Sequence, residues 1–177
     1  CINSCFAEFK TRENKIYYGL GAIKSVGFEA ISNIIKEREK NGKFKSLLDF
    51  IKRVDPKDVN KLQLEGLAKA GAFDNIEKNR KKIFTSIPNI IQTIKNNYED
   101  KLSNQTNLFE QDDNDEKLFK FSNSDDWSKK ELLAHEFTAL GFYMSDHPLN
   151  EYKEIFTQLK IKPYKDFLAQ DSHESLV

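Results

Sequence analysis

Two short segments place a glycine between predicted helices, and both could bind an anion through the main chain. They are residues 23–30 and residues 67–74. Small residues at such a corner allow the backbone to approach another molecule closely. The first amides of a following helix have no partners within that helix, and they lie at the positive end of its dipole. Each corner therefore predicts a pocket for a phosphate oxygen.

The residues assigned to these pockets flank each glycine. Two pockets about 45 residues apart could hold consecutive phosphates of one strand, and no base edge need be contacted. The pattern therefore predicts sequence-independent binding to a nucleic-acid backbone. The alternative is that each glycine merely completes a tight turn between helices. The assigned residues are Lys24, Ser25, Val26, Gly27 and Phe28 at the first corner, and Lys69, Ala70, Gly71 and Ala72 at the second.

The charge distribution is consistent with nucleic-acid binding but also has another explanation. The chain has 177 residues and a formal net charge of zero. Residues 1–104 hold 20 basic and 13 acidic side chains, whereas residues 105–177 hold 8 and 15. Such asymmetry indicates nucleic-acid contact by the basic half. Lysine supplies 24 of the 28 basic residues, however, and a codon bias toward A and T would also enrich Lys, Asn, Ile and Phe.

Several classes of protein are disfavoured by the composition. No apolar run is long enough to span a bilayer, and the N-terminus has no secretory signal, so we expect no membrane contact. Cys1 and Cys5 alone cannot form a disulfide scaffold, which favours a reducing, cytosolic setting. Together with His135 and His147 they lack zinc-site spacing, so no metal site is predicted.

Because the chain starts at Cys1, we interpret it as a fragment.

The hydrophobic period predicts a mainly α fold. Alternation over residues 6–18 predicts a hairpin or extended lead-in, followed by a helix whose apolar face includes Phe28 and which ends at Gly42. Capping patterns predict helix starts at Ser46, Asn60 and Asp74. A longer helix carries an apolar stripe from Ile83 to Tyr98, and Pro88 should kink or split it. Further helices are predicted within residues 128–141 and 151–168, and Phe73 and Phe142 are assigned to the core.

A short peptide at the start of the acidic stretch could dock onto a partner. It is Gln105-Thr106-Asn107-Leu108-Phe109, and residues 110–126 after it hold seven acids and two lysines. Adjacent Leu and Phe suit insertion into apolar pockets, with Gln supplying hydrogen bonds. The alternative is that Leu108 and Phe109 pack onto helices of their own chain. We predict a mobile linker here.

Several blocks, in order and over nearly the whole chain, resemble one family. Residues 16–27 resemble the start of the tandem helix-hairpin-helix region of bacterial replicative DNA polymerase III alpha subunits. The resemblance continues through residues 41–47, 59–61 and 69–74. It closes with residues 140–149, which resemble the stretch ahead of that family's oligonucleotide-binding domain. Two departures are Ser25 and Asp146, where the family usually has a small, glycine-like residue and glycine.

The resemblance implies a polymerase segment outside the catalytic palm. The family's metal-binding aspartates lie upstream, so no catalytic residue is assigned here, the fragment is expected to be inactive, and Mg²⁺ belongs to the parent polymerase. Residues 105–109 resemble the motif that binds the ring-shaped beta sliding clamp. Other implied partners are double-stranded DNA and further replisome subunits, in a nucleoid-associated, cytoplasmic setting.

The implied organisation has four parts. Residues 1–18 form the extended lead-in, residues 19–99 the tandem helix-hairpin-helix domain, residues 100–127 the linker, and residues 128–177 a helical connection toward the next domain. Two other functions stay open at this point. One is a free-standing, glycosylase-like repair protein, which would need a catalytic Lys or Asp at a base-sized pocket. The other is a purely protein-binding helical scaffold.

Overall fold

The computed structural model of the chain describes residues 1–102, 121 and 124–168. It divides into two compact units, Cys1–Met144 and Ser145–Val177. The four-part organisation expected from the sequence stays a prediction. The described residues are mainly helical, which confirms the predicted fold class.

The first unit combines one β-hairpin with five α-helices in its described part. The strands β1 and β2 pair antiparallel, with Lys10 opposite Tyr17 and Arg12 opposite Lys15. Short 3-10 helices at Leu20–Ala22 and Pro56–Asp58 lead into the first and third α-helices. In chain order the elements are β1 (Lys10–Arg12), β2 (Lys15–Tyr17), α1 (Phe28–Asn41), α2 (Leu47–Arg53), α3 (Lys61–Lys69), α4 (Arg80–Leu102) and α5 (Lys129–Leu140).

Most helix boundaries follow from local hydrogen-bonding chemistry. The side chains of Ser46 and Asn60 accept hydrogen bonds from the amides three residues later, and so begin α2 and α3 as predicted. Ser128 and Glu131 form a reciprocal capping box at the start of α5. Gly42 and Gly141 follow the last residues of α1 and α5 with positive φ.

An apolar core joins α2, α3 and α4. The ring centroids of Phe44 and Phe50 are 5.2 Å apart, and those of Phe50 and Phe73 are also 5.2 Å apart, both pairs edge to face. The stripe predicted for α4 is confirmed, since four isoleucines at helical spacing are each about 1% exposed. They are Ile83, Ile87, Ile90 and Ile94.

The N-terminal segment is fastened to this core by a buried cation. The guanidinium of Arg38, in α1, donates hydrogen bonds of 2.7 Å to the carbonyls of Ile2 and Cys5. Ile2 in turn donates its amide to the carbonyl of Ala72 at 2.7 Å. Burial lowers the pKa of Arg38, although the charge of Glu39 opposes that shift.

Some predictions from the sequence differ from the structure. The helix α4 runs through Pro88 without splitting, whereas a kink there stays a prediction. No helix begins at Asp74, because its carboxylate instead binds Arg80, and α4 starts only at that residue. Phe142 is 41% exposed, so its assignment to the core is wrong, whereas Phe73 is buried as predicted. Phe28 begins the apolar face of α1 but is 52% exposed.

The second unit holds three short helices in its described part. They are the 3-10 helix Pro148–Tyr152 and the α-helices α6 (Lys153–Gln158) and α7 (Tyr164–Leu168). His147 caps the first of these, since its Nδ1 accepts a hydrogen bond from the Leu149 amide at 3.2 Å. His147 thus stabilises the start of that helix.

Candidate nucleic-acid interface

The first corner joins the 3-10 helix Leu20–Ala22 to α1 through a left-handed turn. Ser25 has φ +67°, a conformation that glycine adopts without strain and that costs an L-residue about 1–2 kcal/mol. Gly27, the N-cap of α1, has φ −74° and provides no side-chain hydrogen bond. The amides at the start of this 14-residue helix are therefore without the usual side-chain cap.

The surface of this corner is open to solvent. Lys24, Ser25, Gly27 and Phe28 are exposed, and only Val26 is buried, at 8% exposed. An anion could approach the first amides of α1 along the helix axis, where the dipole favours negative charge. Lys24 would add a cation beside it.

Close packing beneath the corner holds it in this shape. A Cβ added to Gly66, in α3, would lie 2.7 Å from the carbonyl oxygen of Lys24, so only glycine allows α3 to approach so closely. On the other side, the Lys24 amide donates a hydrogen bond of 3.0 Å to the carbonyl of Ala139 in α5. The Gln63 side chain lies under Gly27, and its Nε2 is 3.1 Å from where a Cβ would sit. Contacts with α3 and α5 therefore hold the turn in this conformation.

The second corner has the same turn, and its amides donate within the chain, as the amides of Lys24 and Val26 also do at the first corner, to the carbonyls of Ala139 and Ile23 at 3.0 and 3.1 Å. Gly71 has φ +68°, close to the value for Ser25. Its amide donates to Ala68, that of Ala70 to Gly66 and that of Ala72 to Leu67, all over 2.9–3.1 Å. The expectation that the corner leads directly into a helix is wrong, because α4 begins at Arg80. A phosphate role for Lys69, Ala70, Gly71 and Ala72 stays a prediction, with Ala72 only 1% exposed.

A network of ion pairs centred on Arg80 lies beneath the second corner. Arg80 donates to both carboxylate oxygens of Asp74, at 2.9 Å from Nε and 2.7 Å from Nη2. Its Nη1 lies 3.5 Å from Glu136 Oε1 and donates to the Lys69 carbonyl at 3.3 Å. Glu136 Oε2 accepts the Met144 amide at 2.9 Å. Burial acts to lower the pKa of Arg80, but hydrogen bonding and charge from Asp74 and Glu136 outweigh it and raise that pKa.

The Lys69 side chain lies over one ring of an aromatic cluster formed by Phe84, Trp127 and His135. Its Nζ lies 5.1 Å above the ring centroid of Phe84, and Phe84 contacts Trp127, with centroids 5.5 Å apart. Trp127 and His135 are closer still, at 4.0 Å. Burial lowers the pKa of His135, and the Lys69 charge adds to that shift while Glu131 opposes it. Trp127 therefore packs within its own chain.

The remaining assigned residues lie elsewhere. Gln105, Thr106, Asn107, Leu108 and Phe109 fall outside the described residues. Within the part that the structure describes, no group of three or more His, Cys, Asp or Glu side chains could hold a metal ion. No helix in that same part is both long and apolar enough to cross a bilayer.

Sequence analysis missed the residues that support the corners, namely Gly66, Arg80 and Glu136. Their partners lie far away in sequence: Gly66 meets Lys24, and Arg80 meets Glu136. No local sequence pattern predicts contacts between residues so far apart. The one feature that could have indicated a buried ion pair is Glu136, a charged residue on the otherwise apolar face of α5.

The first corner joins two helices through a left-handed turn, as a helix-hairpin-helix does. Residues 1–83, which include both corners, match the family model described as a helix-hairpin-helix motif. The chain is also similar to DNA polymerase III subunit alpha from three bacteria. Identity is 41% with the Borreliella burgdorferi protein, 37% with that of Caulobacter vibrioides and 34% with that of Chlamydia trachomatis.

The matched regions cover nearly all of this chain and a small part of each relative. They comprise 97%, 96% and 94% of this chain, but only 16%, 15% and 14% of the respective relatives. The chain is therefore a homologue of one stretch of the bacterial DNA polymerase III alpha subunits. This confirms the family predicted from its sequence blocks.

Proposed function

We propose that the chain is the segment of a replicative DNA polymerase that binds the backbone of duplex DNA without sequence preference. The observation that carries this proposal is the first corner, where an exposed turn precedes the N-terminus of α1 and its N-cap has no side chain. Main-chain amides bind phosphate oxygens but do not distinguish bases. Homology to DNA polymerase III alpha subunits supports the same function.

The parent protein would be a DNA-directed DNA polymerase. Its nucleotidyl transfer would use Mg²⁺ held by residues outside residues 1–177, so the segment alone would bind DNA without extending it. We place the parent in the cytoplasm, associated with the nucleoid and with other replisome subunits. The structural contribution of this segment would be to hold the duplex product near the polymerase.

The peptide 105–109 would recruit the beta sliding clamp. Its support is the order Gln, Leu, Phe in a stretch rich in acids, together with its place in the family resemblance. An extended peptide of this kind docks with its apolar side chains in a partner's pockets. Tethering to a ring around DNA would raise the effective concentration of the polymerase at its product.

Salt dependence tests the duplex-binding proposal. We expect the 177-residue chain to bind a 20-base-pair duplex with a log–log salt slope of about −2 to −4, since two to four phosphates are held and each contributes about −0.9. Fluorescence anisotropy between 50 and 200 mM NaCl measures it, with duplexes of unrelated sequence expected to agree within about threefold. Absence of binding at 50 mM NaCl would contradict the proposal.

A further inference from the structure

The β-hairpin ahead of the first corner carries a row of cations on one face. In an antiparallel pair, directly opposite residues lie on the same face, so Arg12 shares a face with Lys15, and Lys10 shares it with Tyr17. Lys10, Arg12 and Lys15 are all exposed. The opposite face carries Phe9 and Ile16 and no charge.

This arrangement of charge opposes formation of the hairpin. Arg12 and Lys15 are directly opposite each other beside the two-residue turn, and like charges at that spacing destabilise a strand pair. The carboxylate of Glu13 lies 3.3 Å from Arg12, but both side chains are about 70% exposed, so water weakens the pair. The Lys10 ammonium lies 4.4 Å above the ring centroid of Phe6. Two of the three cations thus face no acidic partner among the ion pairs of the described residues.

The hairpin is anchored directly beside the first corner. The amides of Leu20 and Gly21 donate to the carbonyls of Phe6 and Ala7, at 2.8 and 3.0 Å. Both donors belong to the 3-10 helix that leads into Lys24 and Ser25. Glu13 and Asn14 both have positive φ, which matches the tight turn suited to twisted hairpins and makes the tip stiff.

From this juxtaposition we propose that the hairpin face formed by Lys10, Arg12 and Lys15 is a second binding site for the sugar–phosphate backbone of duplex DNA. The inference rests on the proposed function, because it extends the same duplex beyond the first corner. The cations on the hairpin would neutralise phosphates and relieve their mutual repulsion, and they would contact no base.

The test uses the triple variant K10Q/R12Q/K15Q of the 177-residue chain. Anisotropy with a labelled 20-base-pair duplex measures its affinity from 50 to 200 mM NaCl. We expect affinity at 100 mM NaCl to fall by about tenfold or more. The salt slope should become less steep by about 1 to 2, at about 0.9 per lost phosphate contact, because one or two of the two to four phosphates would be held by the hairpin and the others at the first corner. The conservative variant R12K should bind like the wild type.

A matched control removes three cations elsewhere. K153Q/K160Q/K165Q changes the net charge equally, at exposed positions of the second unit, and should leave the slope unchanged. The hairpin inference is overturned if K10Q/R12Q/K15Q binds like this control while the wild type binds duplex. A wild type that binds no duplex overturns the proposed function as well. Circular dichroism should show the hairpin variant melting no lower than the wild type, since a repulsion is removed.

Discussion

Replacing Arg80 by methionine is expected to lower the free energy of unfolding by about 3–5 kcal/mol. The guanidinium is buried, and it is the cation that faces both Asp74 and Glu136. The Glu136 side chain is only 2% exposed, so its carboxylate would remain in the interior without that compensating charge. Urea denaturation followed by far-UV circular dichroism measures the change.

Two further variants show whether burial causes this loss. Arg12→Met removes an exposed guanidinium and should change stability by less than about 0.5 kcal/mol. The double variant R80M/E136M removes both buried charges and should recover a large part of the loss, because apolar pairs often replace buried ion pairs at little cost. A loss for Arg80→Met no greater than that for Arg12→Met would contradict the network's role.

Replacing Leu108 and Phe109 together by alanine is expected to weaken binding to the beta sliding clamp by about 3–6 kcal/mol. Burying each large apolar side chain in a pocket of the clamp contributes about 1.5–3 kcal/mol of binding free energy. This corresponds to at least about a hundredfold in dissociation constant. Surface plasmon resonance with immobilised clamp measures it. Duplex affinity should not change, because the first corner is untouched.

The linker offers its own matched control for this prediction. Leu118 and Phe119 form the same dipeptide ten residues later, but the residue three positions before Leu118 is Asp115 rather than glutamine. L118A/F119A should therefore keep clamp affinity within about threefold. Equal losses in the two double variants would show that the loss does not depend on the peptide that contains Gln105. Unchanged affinity in both would refute clamp recruitment by this peptide.

Local chemistry explains which elements the sequence predicted correctly. Ser46 and Asn60 accept amide hydrogen bonds three residues later, so residues adjacent in sequence determine these helix starts. Asp74 carries the same pattern with Glu77, yet no helix begins there. Its carboxylate binds Arg80 instead, and a bidentate charge-assisted pair outweighs a neutral cap.

The solvent exposure of apolar side chains was harder to predict than the helical spacing of those residues. Phe28 lies at the helical spacing of Ile31, Ile34 and Ile35, but it occupies the first turn of α1, where the neighbouring core does not reach. Spacing identifies the apolar face of a helix, while the packing of other elements decides how much of that face is covered. Phe142 lies beyond the end of α5, where its ring contacts Tyr18 at a centroid distance of 5.6 Å but stays 41% exposed.

The sequence predicted the first corner because a glycine and a helix N-terminus depend on a few consecutive residues. It did not predict which residue makes the turn: the left-handed residue is Ser25 at the first corner and Gly71 at the second. It also did not predict that α4 begins only at Arg80, because that residue is held by Asp74 and Glu136 rather than by its neighbours in sequence.

Duplex affinity of Gly27→Asp compared with Gly27→Asn tests the central claim most directly. Gly27 has φ −74°, which either residue can adopt, and the neighbouring atom is the end of the flexible Gln63 side chain. Both substitutions should cap α1 and preserve or slightly raise stability, but only aspartate brings an anion to the site. We expect Gly27→Asp to bind the duplex at least about tenfold more weakly than Gly27→Asn at 100 mM NaCl. Equal affinity of the two variants and the wild type would contradict phosphate binding at the N-terminus of α1.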